Sequence, residues 1–577
     1  MRNGPRPWTS GTGLADSFVG AIGPRFVHVH RNVGLGHAPC FTRSMRILLV
    51  HPEFPVTYWG FQYSLELIGK RATLPPLGLV TLAGLLPGDW DLRLVDANVE
   101  KVHDADLLWA DAVLVGGMLV QVPSALDVIR RAKALGRLTI AGGPACTTSP
   151  EIFAEADHVF QGEAEGRIES VVRAITARGQ APHVLAEMPD VRPDVSKSPI
   201  PRFDLLDLAH YQTMSIQYSR GCPFTCEFCD IIEMFGRVPR TKPPAQVLAE
   251  LDALAARGWR GPVFFVDDNF IGNKRAAKKL LPEVARWQIE HGYPFALYTE
   301  ASVNLAADAT LLAMMHAAGF DSVFLGIESP SPESLLGTKK KQNVGIDLHE
   351  AVDTITRSGM DVMAGFIVGF DEDGPSVFEA QRRFIDASPI PLAMVGILTA
   401  LPSTQLWRRL ESEGRLRHAS DGDAFARPNF EPKMGDVELL EGYAGLMRDV
   451  YSPDRYYARC RAVIERVGAP AGSPPLAWRD IVLALRAMMQ IGVLGPRRRH
   501  FWPLVGGSLR RGTHALRRAL TFAVQGEHLI RYTEEQVLPR LEVALAHERA
   551  RARDARAAPA TATTTPRVVR LPLVAEA

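Results

Sequence analysis

The 577-residue sequence predicts an α/β protein in three parts: an N-terminal doubly wound parallel sheet, a central partial (β/α) barrel and a C-terminal helical domain. Three observations predict it. Short apolar strands alternate with helix-length segments over residues 45–190 and again over 205–425, the pattern of parallel βαβ units. Three cysteines crowd into positions 222–229, near the start of the second run. Over 426–546 strand signals stop and helical patterning takes over.

Composition narrows the class. Hydrophobic residues make up 46% and charged residues 22%, the balance of a soluble globular protein. Lys+Arg 65 against Asp+Glu 64 gives no electrostatic case for nucleic acid. No apolar run reaches the length of a membrane span. Six cysteines are too few for a disulfide scaffold, which points to a reducing, cytoplasmic setting.

Residues 1–44 are basic and aperiodic, lack the apolar core of a secretory signal, and read as a disordered extension, a transit-like segment or residues ahead of a mis-set start at Met45. Strands are expected at 46–50, 92–96, 112–116, 138–143 and 158–162, with helices at 76–86 and 123–135. In such sheets ligands sit beyond the carboxyl ends of the strands. Those ends carry Gly116-Gly117, Gly142-Gly143-Pro144 and Gly162-Glu163-Ala164-Glu165. These glycines either admit a ligand to the backbone or simply make tight turns. The first strand has no GxGxxG, so a nicotinamide cofactor is not expected.

Cys222, Cys226 and Cys229 stand in SRGCPFTCEFCD with CxxxCxxC spacing. Three thiolates are one short of a closed structural zinc site. They suit a [4Fe–4S] cluster whose fourth iron is left open to a substrate; a zinc loop or free thiols are the alternatives. Phe228, before the last cysteine, is placed to pack a flat ring. Further strands are expected at 261–270, 294–302, 322–329, 360–370 and 394–402, with helices between them. In such barrels the active site lies at the C-terminal strand ends. Cys146, Cys460 and Cys40 lie outside the motif and read as ordinary thiols.

The CxxxCxxC motif and the strands after it resemble the radical S-adenosylmethionine superfamily. The resemblance places Asp267, Asp268 and Asn269 near the aminoacyl part of S-adenosylmethionine, with Glu300 and Ser302 after the next strand. It places Glu328 and Ser329 of GIES at the ribose, and Gly365, Ile367 and Gly369 of GFIVGF along the adenine. Pro402 and Thr404 match the end of the last strand. PPLGL at 75–79, GGP at 142–144 and GEAE at 162–165 resemble the cobalamin-binding domain found at the front of many such enzymes. That likeness makes Gly116, Gly117, Gly142, Gly143, Pro144, Gly162 and Glu163 candidate cobalamin contacts. The Asp-x-His-x-x-Gly motif of many cobalamin domains is replaced by HPEFPVTYWG at 51–60. His51 stands there in the wrong context, so cobalamin is expected base-off, without a protein histidine ligand.

Residues 479–520 hold nine arginines (479, 486, 497, 498, 499, 510, 511, 517 and 518) and one acid, Asp480. Such a surface is either a solvated helical cap or a peripheral contact with an anionic inner membrane surface. Residues 547–577 are of low complexity and read as a disordered tail.

The stretches 51–79 and 230–242 resemble the subgroup of hopanoid C-2 and bacteriochlorophyll side-chain methylases. The resemblance implies a methyltransferase acting on an unactivated carbon of an apolar, lipid, hopanoid or tetrapyrrole-like molecule. It would work through a 5′-deoxyadenosyl radical and methylcobalamin, with a one-electron donor such as flavodoxin or ferredoxin. Two alternatives stand beside it: a non-methylating radical rearrangement or carbon–carbon coupling with accessory cobalamin, and a non-catalytic cobalamin and cluster sensor.

Overall fold

The computed structural model describes residues 44–472 and 478–557, without the side chains of 479, 480 and 555–557. The expectations for 1–43, including Cys40, and for 558–577 lie outside the described residues.

The first sheet has six parallel strands: β1 Arg46–His51, β2 Asp91–Asp96, β3 Ala112–Gly116, β4 Leu138–Gly142, β5 His158–Phe160 and β6 Val184–Ala186. Their order is β2-β1-β3-β4-β5-β6. Alternate residues of β1 feed different layers: Leu48 and Val50 join one core, while Ile47 and Leu49 pack on the opposite side. A strand covered on both faces must be apolar throughout, which is why RILLV carries no polar alternation. Strand order reverses at β1, so the crevice between the ends of β1 and β3 is the topological binding point.

The second sheet is also parallel and remains open. After β7 Met214–Ile216 comes a small antiparallel hairpin, β8 Ser219–Arg220 with β9 Arg240–Thr241. The sheet continues through β10 Gly261–Phe265, β11 Phe295–Ala301, β12 Phe320–Glu328, β13 Asp361–Val368 and β14 Ala393–Ile397. Its order runs β7-β10-β11-β12-β13-β14. Along β11 and β13 burial alternates residue by residue. The fully buried set packs under the helices, and the other set, including Tyr298, Glu300, Gly365 and Ile367, faces the concave side.

The helical part closes the open edge. On the helix Asp436–Val450 and at its end, the Tyr443 and Tyr451 hydroxyls donate to the Val395 and Ala393 carbonyls of β14 at 2.8 and 2.7 Å. The loop after β1 reaches this helical part. Tyr58 is fully buried against Phe425, Tyr451 and Tyr532. Its hydroxyl donates to Thr533 Oγ1 at 2.5 Å, because the Thr533 proton is given to the Leu529 carbonyl. His528 Nε2 donates to the Thr57 carbonyl at 2.8 Å, and its Nδ1 accepts from Tyr63 N at 3.4 Å. Burial pulls the His528 pKa down to about 4, which keeps it the neutral ring this pairing needs. The result is to hold Trp59 5.0 Å from Phe324, on the concave face of the barrel.

Two expectations are corrected. The tail does not begin at 547: the helix Leu538–Ala557 runs eleven residues into it, with Arg549 paired to Glu441 and Glu548 to Arg427. Alanine and arginine are good helix formers, and low complexity alone does not prevent a helix that has ion-pair partners. Nor are all nine arginines on the surface. Arg497 is buried between Glu527 and Glu534, and Arg518 makes two bonds to Asp361.

Candidate cluster and cofactor site

The cysteine loop leaves β8 through Gly221, whose φ is +94°. A Cβ there would stand 2.8 Å from the Gly236 carbonyl oxygen, so only glycine fits. Asp267, at the end of β10, accepts from Tyr218 N, Ser219 N and Ser219 Oγ at 2.7–2.9 Å. Its bonds all go to the root of the loop, which makes it a loop anchor. Neighbouring Asp268 accepts from Gly221 N at 2.8 Å.

Burial raises the Cys222 thiol pKa and pushes that of Cys229 well above its ordinary value. Iron must therefore displace protons to bind. Among the described residues no three His, Cys, Asp or Glu side chains converge on a point that could hold a single ion. A cubane takes one thiolate per iron and does not require such convergence. Two amides already point at the sulfurs: Gln342 Nε2 donates to Cys226 Sγ at 3.4 Å, and Asn269 Nδ2 to Cys222 Sγ at 3.8 Å. Asn269 also bonds Ser302, which in turn donates to Asn304. Hydrogen bonds to cluster sulfurs favour the reduced state. Gln342→Leu is therefore expected to lower the midpoint potential at unchanged iron content, read by an electron paramagnetic resonance titration.

The acids at the strand ends form a group of their own. Burial first, and then Asp268, Asp267 and Glu328, push the Glu300 pKa up to about 8. Burial and the Asp267 charge outweigh the Gly221 hydrogen bond and push Asp268 up to about 7. Carboxylates crowded in this way gain from a cation, and the ammonium of S-adenosylmethionine is one. Because the Glu300 pKa is raised in the fold, its contribution to stability falls as pH rises from about 4.5 to about 8. Glu300→Gln is expected to raise the melting temperature at pH 8 and to weaken S-adenosylmethionine binding about tenfold. Thermal unfolding and isothermal titration would measure the two effects.

Glu328 is buried, takes a left-handed φ of +64°, and is ion-paired with Lys340. Burial opposes the Lys340 charge, but Glu328 and the Cys226 and Cys229 sulfurs outweigh it and raise its pKa. Phe228 and Ile367 share one apolar cluster with Phe370 and Leu398, a wall suited to a flat ring. Gly365 has its would-be Cβ 3.0 Å from the Phe324 ring. Gly369, with φ +95°, donates its backbone N–H to the Asp373 carboxylate at 2.9 Å. Ser329 and Thr404 serve local structure: Ser329 Oγ accepts from Ser331 N, and Thr404 caps the helix Gln405–Ser412. Pro402 is buried beside that cap.

In the first sheet Gly116, Gly117, Gly142 and Gly143 form one backbone cradle at the ends of β3 and β4. A Cβ on Gly143, whose φ is +85°, would lie 3.2 Å from Gly117 N. Pro144 is exposed on the short helix Gly143–Thr148, and Gly162 N is held by Thr147 Oγ1 at 2.9 Å. The would-be Cβ atoms of Gly116 and Gly117 likewise meet Leu79 and Gln121 at 3.3 and 3.1 Å, so these glycines let the strand ends pack closely beside the strand-order reversal. Glu163 does not face the cradle. The Glu163 carboxylate is buried against Arg220 at 2.7 Å and Arg240 at 2.9 Å, and Glu165 pairs with Arg220 at 2.9 Å. GEAE thus joins the first domain to the residues directly ahead of Cys222. His51 lies at the end of β1, 3.5 Å from Gln121 Nε2, with burial lowering its pKa. Cys146 and Cys460 are buried thiols, each with its pKa pushed up to about 12 by burial.

Sequence reasoning missed Arg220, Arg240, Lys340, Gln342 and Trp59. The only signals were an arginine abutting the cysteine motif and the polar run KKKQN at 339–343.

Known families match the chain domain by domain. The radical SAM superfamily model matches residues 216–384, the B12 binding domain 71–172, and a domain of unknown function, DUF4070, 404–539. An uncharacterized methyltransferase of Synechocystis sp. is 43% identical over 498 residues, covering 85% of this chain and 92% of that protein. The hopanoid C-2 methylase of Rhodopseudomonas palustris is 35% identical over 503 residues, covering 85% and 94%. In fold the chain is similar to the radical S-adenosylmethionine methyltransferase TsrM from Kitasatospora setae, solved with cobalamin and a [4Fe–4S] cluster bound. That likeness has TM-score 0.55 at 17% identity and covers 79% of this chain and 98% of that one. With both domains matched and two relatives aligned over nearly their whole lengths, the chain belongs to the cobalamin-binding radical S-adenosylmethionine methyltransferase family of the hopanoid C-2 methylase.

Proposed function

We propose that this methyltransferase modifies an unactivated carbon of an apolar lipid, hopanoid or tetrapyrrole-like substrate. The observation that carries the substrate class is Trp59, 47% exposed and set against Phe324 on the concave face of the barrel. A polar substrate would gain nothing from that wall, whereas a ring system or polycyclic lipid buries apolar area against it. The similarity to the hopanoid C-2 methylase supports the same reading.

When bound, the cluster, S-adenosylmethionine and cobalamin supply one-electron reduction, a hydrogen-abstracting radical and a methyl group. The chain's own residues bind and orient. Cys222, Cys226 and Cys229 hold the cluster. Asp268 and Glu300 take the ammonium, and Asn269 and Ser302 fix the geometry beside Cys222. Glu328 meets the ribose, with Ser329 shaping its turn. Phe228, Gly365, Ile367 and Gly369 line the adenine. The cradle of Gly116, Gly117, Gly142 and Gly143, with Pro144 and Gly162 at its rim, takes cobalamin base-off. His51 is not a ligand in this reading, since its ring rests against Gly116 and Gln121. Glu163 acts by fixing the first domain to the cysteine loop. The reading also includes a flavodoxin or ferredoxin as electron donor, a cytoplasmic location and peripheral membrane contact through 479–520. Among the described residues no helix is long and apolar enough to cross a membrane.

The test is an anaerobic assay with reconstituted iron and sulfide, cobalamin, reductant and a bacterial lipid extract. 5′-Deoxyadenosine and S-adenosylhomocysteine rising together, with a methylated lipid, is the expected result. Deoxyadenosine alone would favour non-methylating radical chemistry. No cleavage of S-adenosylmethionine with all cofactors bound would overturn the reading.

A further inference from the structure

Exposed large apolar side chains concentrate on one part of the surface. Trp478, Ile481, Leu485 and Met489 are 43–75% exposed. Their spacing of i, i+3, i+7 and i+11 puts them on one face of the helix Trp478–Ala487 and the turn that follows. Leu494 is 71% exposed, and Trp502, on the helix Arg498–Leu509, is 47% exposed. The Trp502 indole N–H is already satisfied by the Gly492 carbonyl at 2.8 Å, so its outer edge is free to enter an apolar phase. Residues 478–526 contain one acid, Asp480, while Arg498, Arg499, Arg510 and Arg511 are exposed on and just after the helix Arg498–Leu509.

We propose that this face lies in the surface of an anionic membrane and passes an apolar substrate from there to the barrel mouth; the second part rests on the lipid reading above. An amphipathic surface with tryptophans, leucines and arginines matches an acyl–headgroup boundary. A second copy of the same face is a poorer partner, because self-pairing would bring arginines against arginines with Asp480 as the single acid of residues 478–526. The route inward is short. The helix Trp478–Ala487 packs on the helix Gln62–Ile68, which directly follows the loop holding Trp59 at the barrel. A seven-residue helix spans only about 10 Å. What the arginines contribute is therefore narrower than their number in the sequence suggests: Arg497 and Arg518 hold the domain together, and the exposed ones meet headgroups.

The test is flotation of the full chain with vesicles of phosphatidylcholine alone or mixed with phosphatidylglycerol. Flotation with the anionic vesicles, weakened by salt, is expected. Leu485→Glu with Leu494→Glu should cut binding at least about tenfold, since two leucines lose their apolar burial. Arg498→Ser with Arg510→Ser and Arg511→Ser should remove the preference for phosphatidylglycerol, and provides an independent test should the glutamates disturb folding. No flotation on anionic vesicles, equal binding by the glutamate variant, or a dimer that the glutamates dissociate would each overturn the proposal. Turnover of detergent-dispersed lipid separates the two readings. If the glutamate variant keeps it but loses turnover of vesicle-borne lipid, docking and delivery are supported. If the unaltered chain floats but turns over lipid in neither form, the substrate reading fails, and with it the delivery step, while the docking face stands.

Discussion

Cys226→Ala is expected to abolish bound iron and reduce S-adenosylmethionine cleavage to background, a loss of at least about a thousandfold. Cys226 is 8% exposed, and its sulfur already accepts from the Gln342 amide. The Cys229 backbone N–H bonds the Cys226 carbonyl at 3.3 Å, so the two thiols belong to one tight turn. Removing the middle ligand leaves two sulfurs for a cluster that needs three protein thiolates. Two controls make the result specific. Cys146→Ala and Cys460→Ala each delete a buried thiol outside the motif. They should keep iron at the level of the unaltered chain and cost only packing stability. Iron analysis and deoxyadenosine yield, measured on the same preparations, would decide it. Iron retained at full stoichiometry in Cys226→Ala would refute the ligand assignment.

Arg220→Ala is expected to cost about 3–5 kcal/mol, because it strands the buried Glu165 carboxylate and takes one of two arginines from the buried Glu163. Arg220 Nη1 meets Glu163 at 2.7 Å, Nη2 meets Glu165 at 2.9 Å, and Nε donates to Gln217 at 2.6 Å. Arg240 remains for Glu163, but Glu165 loses its ion-pair partner and keeps neutral donors such as the Ser198 hydroxyl at 2.6 Å. In the intact protein burial opposes the Glu165 charge, yet Arg220 and Ser198 still hold its carboxyl below the usual range. Its share of stability is therefore present at neutral pH and is lost as pH falls through that lowered value. Without Arg220 the direction reverses, and Glu165 should favour its protonated form. Arg220→Lys should rescue little, since an ammonium cannot span both carboxylates as the guanidinium fork does. The damage should show first as a loosened junction between the first domain and the cysteine loop. Thermal unfolding should report the stability loss, and limited proteolysis should cut near 187–200 before the barrel unfolds. An unchanged melting curve would mean that this ion cluster carries no net stability.

The candidate site was legible wherever its chemistry is local in the chain. CxxxCxxC puts its ligands within eight positions, so spacing alone announces the loop. Glu300 and Glu328 stand in the last two positions of apolar strands and Asp268 just beyond one, and strand ends are where a parallel sheet presents its side chains to a ligand. The partners of those residues were not legible. Glu163 is 57 residues from Arg220, Gln342 is 116 from Cys226, and Tyr58 is 475 from Thr533. No periodicity relates such distant positions. For the same reason Glu163 could be taken for a cofactor contact when it joins the domains, and Asp267 for a binding residue when it anchors the loop.

The sequence by itself determined the two parallel sheets, because period-two and continuous apolar runs can be buried in few ways. It also determined the cluster loop, because its ligands are neighbours in the chain. Only the tertiary structure decided which acids stay free for a cation and which are neutralised by arginine or lysine. It alone placed Trp59 at the barrel mouth, and it separated the arginines that hold the helical domain from those that face outward. Those outcomes depend on desolvation and on pairing between segments hundreds of residues apart, and such energies exist only once the chain has packed.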